Sequence, residues 1–213
     1  MQQLSMQKTV SLLKHYHIPL LPYEIVHSQE EAVKAAERLG YPVAVKVAED
    51  FVIHKTDSGG VVIGIKHNNG VKKAISSITK NVYKAHKQKP KVFLVQKMME
   101  GTEVIIGMKK DEQFGPVMMF GLGGIFVGVF KDVAFRVAPL SAKEAKSMIK
   151  EIKSYSILAG TRGQKGVNLN KLTAILQKVS KLAMQHPEIL ELDLNPVFVN
   201  TKGAYIADMR MLV

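Results

Sequence analysis

Near the C-terminus, ELDLNPVFVNTKGAYIADMR holds two alternating apolar and polar runs around Asn200-Thr201-Lys202-Gly203, the composition of a tight turn between antiparallel strands. Pairing Asn200 with Gly203 and counting outward places Asn195 opposite Asp208 and Asp193 opposite Arg210. An amide oxygen beside a carboxylate is either a plain Asn–Asp hydrogen bond or half the oxygen shell of a hard cation. Mg2+ takes one or two carboxylates and completes its octahedron with water and phosphate oxygens. In HKTDSGG, the His54 imidazole is a nucleophile able to accept a phosphoryl group near neutral pH. Lys55, Asp57, Gly59 and Gly60 suit a loop that embraces an anion, and equally an ordinary polar turn. Lys46 in VAVKVA can hold a phosphate as a point charge, and Glu103 can accept a hydroxyl or simply cover a sheet edge. FGLGGIFVG gathers Gly121, Gly123, Gly124 and Gly128, which admits either a phosphate near backbone N–H groups or a tight turn or bulge. Its spacing matches neither a P-loop nor a dinucleotide fingerprint.

These residues need elements to position them. Leu4, Leu12, Leu13 and Tyr16 predict a first helix ending before Pro19, followed by an extended piece from Tyr23 to Val26. Ser28 and Glu31 form a capping box for a helix that Gly40 stops. VAVKVA alternates as a strand, with Val43, Val45 and Val47 on one face and Lys46 on the other, toward solvent or a ligand. A loop carries His54, GVVIGIKH follows as a strand, and a lysine-rich helix runs from Asn69 to about His86 before a strand from Lys91 to Met98. Beyond Gly101 come closely spaced strands, TEVIIGMKKD, FGPVMMFGLGG, IFVGVF and VAFRVAP, then helices from Ser141 and around Lys171 to Gln185. The expected division is 1–95, a helix and smaller lobe with the His54 loop, and 96–213, a second lobe with the glycine segment and the hairpin.

Composition bounds the reading. The 213 residues are 46% hydrophobic and 23% charged, which excludes a disordered or collagen-like chain and gives enough length for a core without staples. With no cysteine there is no disulfide and no thiolate chemistry, and the cytoplasm is the expected compartment. The opening MQQLSMQKTVSLLKHYHIPL reads as neither an export signal nor a membrane span. A net charge of +12 favours polyanionic partners, either nucleic acid or phosphorylated small molecules. The lysines are scattered with few aromatics among them, which argues for solvated helix faces over a nucleic-acid surface.

As a whole, VAVKVA, HKTDSGGVVIGI, VQKMMEGTEVIIGMKKDEQFGPVMMFGLGGIFVGVFKDVAFRVAPL, LAGTRG and ELDLNPVFV with YIADMR resemble the ATP-grasp beta subunits of ADP-forming acyl-CoA (acetyl-CoA) synthetases, over nearly the full length. The resemblance implies an α+β ATP-grasp fold, two lobes with mixed or antiparallel sheets and helices, clamping ATP or ADP with Mg2+. It implies a phosphate contact at Lys46 and adenine reading along Gln96, Lys97 and Met98, and the anion-embracing loop of Lys55, Gly59 and Gly60 is then expected to border the nucleotide, with the two glycines as hinges. Glu103 becomes a nucleotide-site carboxylate, Asn195 and Asp208 the metal pair, and His54 the phosphoryl relay. The implied reaction is acyl-CoA + ADP + phosphate ⇌ carboxylate + CoA + ATP, completed by a CoA-binding and ligase alpha subunit. The chain departs from the family at Glu49-Asp50-Phe51, where Ser-Pro-Asp is usual, at Gly128, where Glu is usual, and at Thr161, where an aromatic is usual. Those departures motivate an alternative, an ATP-binding regulatory module with impaired catalysis. Composition alone leaves a basic nucleic-acid-binding protein as a third.

Overall fold

A computed structural model describes residues 2–52, 55–124, 132–161, 163 and 165–213. His54, Gly128, Arg162 and the expected strand IFVGVF lie outside the described residues. In chain order the elements are α1 (Met6–His15), β1 (Tyr23–Val26), α2 (Gln29–Leu39), β2 (Val43–Val47), β3 (Val61–Ile65), α3 (Asn68–His86), β4 (Phe93–Lys97) and β5 (Thr102–Asp111). Then follow β6 (Gly115–Leu122), β7 (Val133–Val137), α4 (Ala142–Glu151), α5 (Tyr155–Ala159), α6 (Leu169–Gln185), β8 (Glu191–Val199), β9 (Ala204–Ile206) and β10 (Met209–Leu212).

The smaller unit, Leu21–Met99, has an antiparallel sheet of order β1-β4-β2-β3. Its core is made by Val43, Val45, Val47, Phe93 and Val95 against Ala32, Ala35 and Ala36 of α2 and Ile75, Ile78 and Val82 of α3. Ser28 caps α2 by accepting from the Glu31 N–H at 3.1 Å, but the Glu31 carboxylate reaches the His27 N–H at 2.8 Å, so the expected box closes one residue earlier.

In the larger unit the sheet order is β10-β8-β5-β6-β7, with β9 also on β8. Val104, Ile106, Met108, Met118, Phe120, Leu192 and Leu194 are buried on one face, packed against α4 and α6. Helix α6 supplies Leu172, Ile175, Leu176, Val179 and Leu182 at helical spacing. Ser141 and Glu144 form a full capping box on α4.

The division expected at 95/96 is displaced. The stretch up to Leu20 groups with Glu100–Val213, and Gln96 to Met98 stay in the smaller unit. Non-local pairing is the cause. The Gln2 N–H donates to Val213 O at 2.7 Å and the Leu4 N–H to Met211 O at 2.9 Å, while Leu13 and Ile18 enter the larger core. The Lys97 N–H donates to Pro22 O at 2.9 Å and the Met98 N–H to Pro42 O at 3.1 Å.

Candidate functional site

The hairpin forms in the expected register. Asn200 and Gly203 close it, Val197 faces Ile206, and Asp193 faces Arg210. Between these pairs both strands are interrupted together. Val104 faces Val197 while Ile106 faces Leu194, so Asn195 and Pro196 share the single opposite residue Ile105, a β-bulge. Burial records the switch, because Leu192 and Leu194 point into the core before the bulge, and Val197 and Val199 after it. Across the hairpin, β9 ends at Ile206 and β10 begins at Met209, leaving Ala207 and Asp208 between them. The Asn195 N–H donates to Asp208 O at 3.1 Å and the Ala207 N–H to Pro196 O at 3.0 Å. The bulge therefore sets Asn195 beside Asp208 on the face opposite the helices, with Asn195 exposed and Asp208 half-buried. Two hard oxygen donors side by side on paired strands fit a divalent cation of the Mg2+ type. The Met209 N–H already donates to Asp208 Oδ1 at 2.9 Å, orienting that carboxylate.

Glu103 joins this face. From β5 it pairs with Phe198 of β8, and its carbonyl accepts from the Gly123 N–H at 2.8 Å. A Cβ on Gly123 would stand 3.1 Å from the Glu103 Cβ, so glycine lets the segment cross directly over Glu103. Further along the same face a cavity of 510 Å3 is lined by Ile105, Gly107, Lys109, Met119, Phe135 and Asp193, with Gly107 supplying the gap. Burial pushes the Asp193 carboxyl above its ordinary range, Arg210 opposing and Glu191 and Asp208 adding to the rise. Sequence reasoning missed Asp132, the first described residue after the glycine segment. It accepts from the Lys153 N–H at 2.7 Å, from the Ser154 N–H at 2.8 Å and from the Ser154 hydroxyl. No periodic signal marks partners 21 and 22 residues distant in sequence.

In the smaller unit, Lys46 is only 8% exposed and Gln96 only 3%. Lys46 faces Leu94 and Gln96 faces Ala44, so strand alternation puts both side chains on the sheet face opposite the helix-packed core. Two buried polar side chains on one face are an informative departure from an apolar interior. Lys97 belongs to the other face: its Nζ donates to Gly40 O at 2.6 Å and Tyr41 O at 3.2 Å, clasping the C-terminal end of α2. Met98 Sδ accepts from the Gly64 N–H at 3.0 Å.

Residues on both sides of 53–54 are anchored. Val52 is buried, and Glu49 Oε1 accepts from the Lys91 and Val92 N–H groups at 2.6 and 3.0 Å. Phe51 meets the His86 ring edge-on at 5.7 Å. The departure at Glu49-Asp50-Phe51 thus secures the approach to β4. On the far side the Gly60 N–H donates to Lys55 O at 2.7 Å, Gly60 O accepts from the Val47 N–H at 2.8 Å, and Gly59 turns the chain at φ 63°.

Asn195, Asp208 and Glu103 therefore share one face of the larger unit, and Lys46 and Gln96 one face of the smaller. Among the described residues no helix is long and apolar enough to cross a membrane.

The ATP-grasp domain family matches residues 1–213. The beta subunit of acetate–CoA ligase [ADP-forming] I from Pyrococcus furiosus is 46% identical over 204 residues, covering 95% of this chain and 88% of that subunit. Acetate–CoA ligase [ADP-forming] I from Archaeoglobus fulgidus is 45% identical over 95% of this chain, which spans only 30% of that longer protein. The dinucleotide-forming acetyl-coenzyme A synthetase 1 of Ca. Korarchaeum cryptofilum, solved with coenzyme A and Ca-AMPCP, superposes with a TM-score of 0.93 at 37% identity, covering 100% of this chain and 93% of that one. Another structure of that enzyme contains Mg-AMPPCP, with a phosphohistidine segment pointing towards the nucleotide binding site; there the TM-score is 0.84 at 37% identity, with the same coverage.

Proposed function

The chain belongs to the ATP-grasp family, alongside the beta subunits of ADP-forming acetate–CoA ligases, and from that premise we propose that it is the nucleotide-binding subunit of an ADP-forming acyl-CoA synthetase. It moves a phosphoryl group between ADP or ATP and His54 within acyl-CoA + ADP + phosphate ⇌ carboxylate + CoA + ATP. In the ATP-forming direction the N–P bond of phosphohistidine breaks as a terminal ADP oxygen attacks phosphorus, and the imidazole keeps the N–P electron pair. The observation that carries this reading is the bulged hairpin, which sets Asn195 against Asp208 on an exposed sheet face.

Asn195 and Asp208 hold Mg2+, which when bound neutralises phosphate charge. Lys46 contributes a positive charge to the phosphates from a buried position, where electrostatic interactions are stronger than in water. Lys55, Gly59 and Gly60 form the turn beside the relay histidine. Glu103 accepts a ribose hydroxyl. Gln96, Lys97 and Met98 face the adenine through their backbone. The N–H groups of Lys97 and Met98 donate to Pro22 O and Pro42 O, and neither proline has an N–H to return, which favours carbonyls of this stretch as acceptors for the exocyclic amine of adenine.

The chain matches 88% of a separate beta subunit but only 30% of a single-chain ligase, which supports a partner alpha subunit carrying CoA binding and ligation. Incubation of the purified chain with γ-phosphate-labelled Mg·ATP tests the relay. Acid-labile, base-stable label is expected on the wild type and absent from His54→Ala. Equal labelling of the two proteins sinks the assignment of His54.

A further inference from the structure

Lysines that look scattered along the sequence gather in space. From Ser58 to Met99 the chain has nine lysines and no aspartate or glutamate, so this stretch holds nine of the twelve net positive charges. At about 100° per residue along α3, Lys72, Lys73, Lys80 and Lys84 fall within an arc of roughly 120°, and all four are exposed. Ile75, Ile78 and Val82 lie on the opposite side and are buried. Lys89 follows in the next loop, its Nζ 6.0 Å from the centre of the Tyr83 ring, and Tyr83 lies in the same arc, 48% exposed. Among the described residues none of these lysines makes an ion pair. Helix α2 borders the stripe through Gln29 Nε2, which donates to Ser76 Oγ at 3.0 Å. Two of its carboxylates are already engaged, Glu31 by the His27 N–H at 2.8 Å and Glu37 by Asn68 Nδ2 at 2.6 Å. A helix face that serves solvation alone gains from mixed signs, because Glu and Lys at i,i+4 support each other. This face does the reverse: Lys80 and Lys84 are a like-charge i,i+4 pair, which destabilises a helix. The helix dipole favours Lys84 in the last turn but gives nothing to Lys72 and Lys73 near the other end.

We propose that this face of α3 binds the phosphate backbone of a nucleic-acid duplex without reading its sequence, a function separate from the nucleotide chemistry above. Lys72 to Lys84 spans about 18 Å of helix axis, and a duplex presents one phosphate charge per about 1.7 Å of its own axis. A single-sign stripe of that length matches a polyanion. Every cation in it is a lysine, a point charge that meets phosphate in many geometries, whereas arginine suits fixed two-pronged contacts. A protein partner needs an apolar, desolvated centre from which lysine is depleted. Here Ser76, Ser77 and Asn81 stand between the lysines, with Tyr83 alone as an aromatic. A membrane partner needs an apolar helix face to insert, and that of α3 is buried in the core of the smaller unit. Rows of aromatics serve single strands, whose bases stack on them; a duplex is held by its phosphates, through release of their counterions.

Fluorescence anisotropy of a labelled DNA duplex of arbitrary sequence, titrated with the purified chain without ATP or ADP, tests this. Wild type should bind with micromolar affinity or better at about 50 mM salt, and log K should fall against log salt with a slope of about −4 to −5. The combined variant Lys72→Gln, Lys73→Gln, Lys80→Gln and Lys84→Gln should bind about tenfold or more weakly and flatten the slope by about 3, while melting no lower than wild type. A charge-matched control in the larger unit, Lys143→Gln, Lys146→Gln, Lys150→Gln and Lys181→Gln, should stay within about twofold of wild type. An equal loss in that control makes net charge the whole cause and overturns the proposal, as does a wild type that does not bind the duplex at about 50 mM salt. Phosphatidylserine-containing vesicles or poly-L-glutamate bound more tightly than the duplex would give the face to a membrane or to an acidic protein, and overturn it as well. The stripe shares no residue with the proposed Mg·ATP site, so none of these outcomes bears on the proposed function, which stands or falls by ATP binding and His54 labelling.

Discussion

Replacing Asp132 with Asn should loosen the anchor that follows the glycine segment. One carboxylate oxygen accepts the Lys153 N–H and the other accepts both the N–H and the hydroxyl of Ser154. Burial works to raise this carboxyl, but the Ser154 and Lys153 bonds outweigh it and hold it below the usual range. An amide keeps one acceptor oxygen and turns an NH2 group toward a backbone donor. Hydrogen bonds to a charged group contribute roughly 1.5–3 kcal/mol each. Water recovers part of that at a half-buried site, so Asp132→Asn should cost about 2–4 kcal/mol. At about 2–4 °C per kcal/mol for a chain of this size, the melting temperature should fall by about 5–15 °C. Circular dichroism melts at neutral and acid pH measure it. Because the folded carboxyl is the stronger acid, its contribution is complete above the unfolded value of about 3.9 and is lost as pH falls through the folded value. The gap between wild type and variant should hold from about pH 5 upward and narrow below about pH 4. A variant melting within about 1 °C of wild type at neutral pH, or a gap that persists in acid, refutes the anchor.

Gly60→Ala puts a Cβ 2.6 Å from Val47 Cγ1 and 2.9 Å from Lys55 O. It should destabilise the smaller unit by about 1–3 kcal/mol and speed hydrogen exchange at the Val47 N–H, whereas unchanged exchange would show that the loop base yields freely. Lys97→Met removes both bonds to the end of α2 and should lower stability by about 1–3 kcal/mol. Lost ATP affinity with unchanged melting would instead assign the Lys97 side chain to the nucleotide. Ser141→Ala, which opens the capping box on α4, should cost about 0.5–2 kcal/mol in a denaturant titration, and no shift in midpoint would contradict that.

The hairpin register was legible because a four-residue turn signal and a period-2 pattern fix it locally. The bulge had a signal too. In ELDLNPVFV the buried set changes from Leu192 and Leu194 to Val197 and Val199 across a proline, and a proline inside a strand marks an irregularity. The matching break at Ala207 and Asp208 keeps Asn195 beside Asp208, so counting outward from the turn passed through it intact. The lobe boundary was not legible, because the pairing of Gln2 and Leu4 with Val213 and Met211 joins opposite ends of the chain. The buried settings of Lys46 and Gln96 depend on which strands become neighbours in the β1-β4-β2-β3 sheet, and that order is non-local. The opposite faces taken by the Gln96 and Lys97 side chains follow from strand alternation alone once β4 is placed.

The most direct test of the central claim is calorimetric titration of the purified chain with ATP, with and without Mg2+, beside Asp208→Ala. The account predicts Mg2+-dependent ATP binding that weakens by about tenfold or more in Asp208→Ala. ATP binding that is indifferent to Mg2+, or equal in the two proteins, would contradict the metal site proposed at the hairpin.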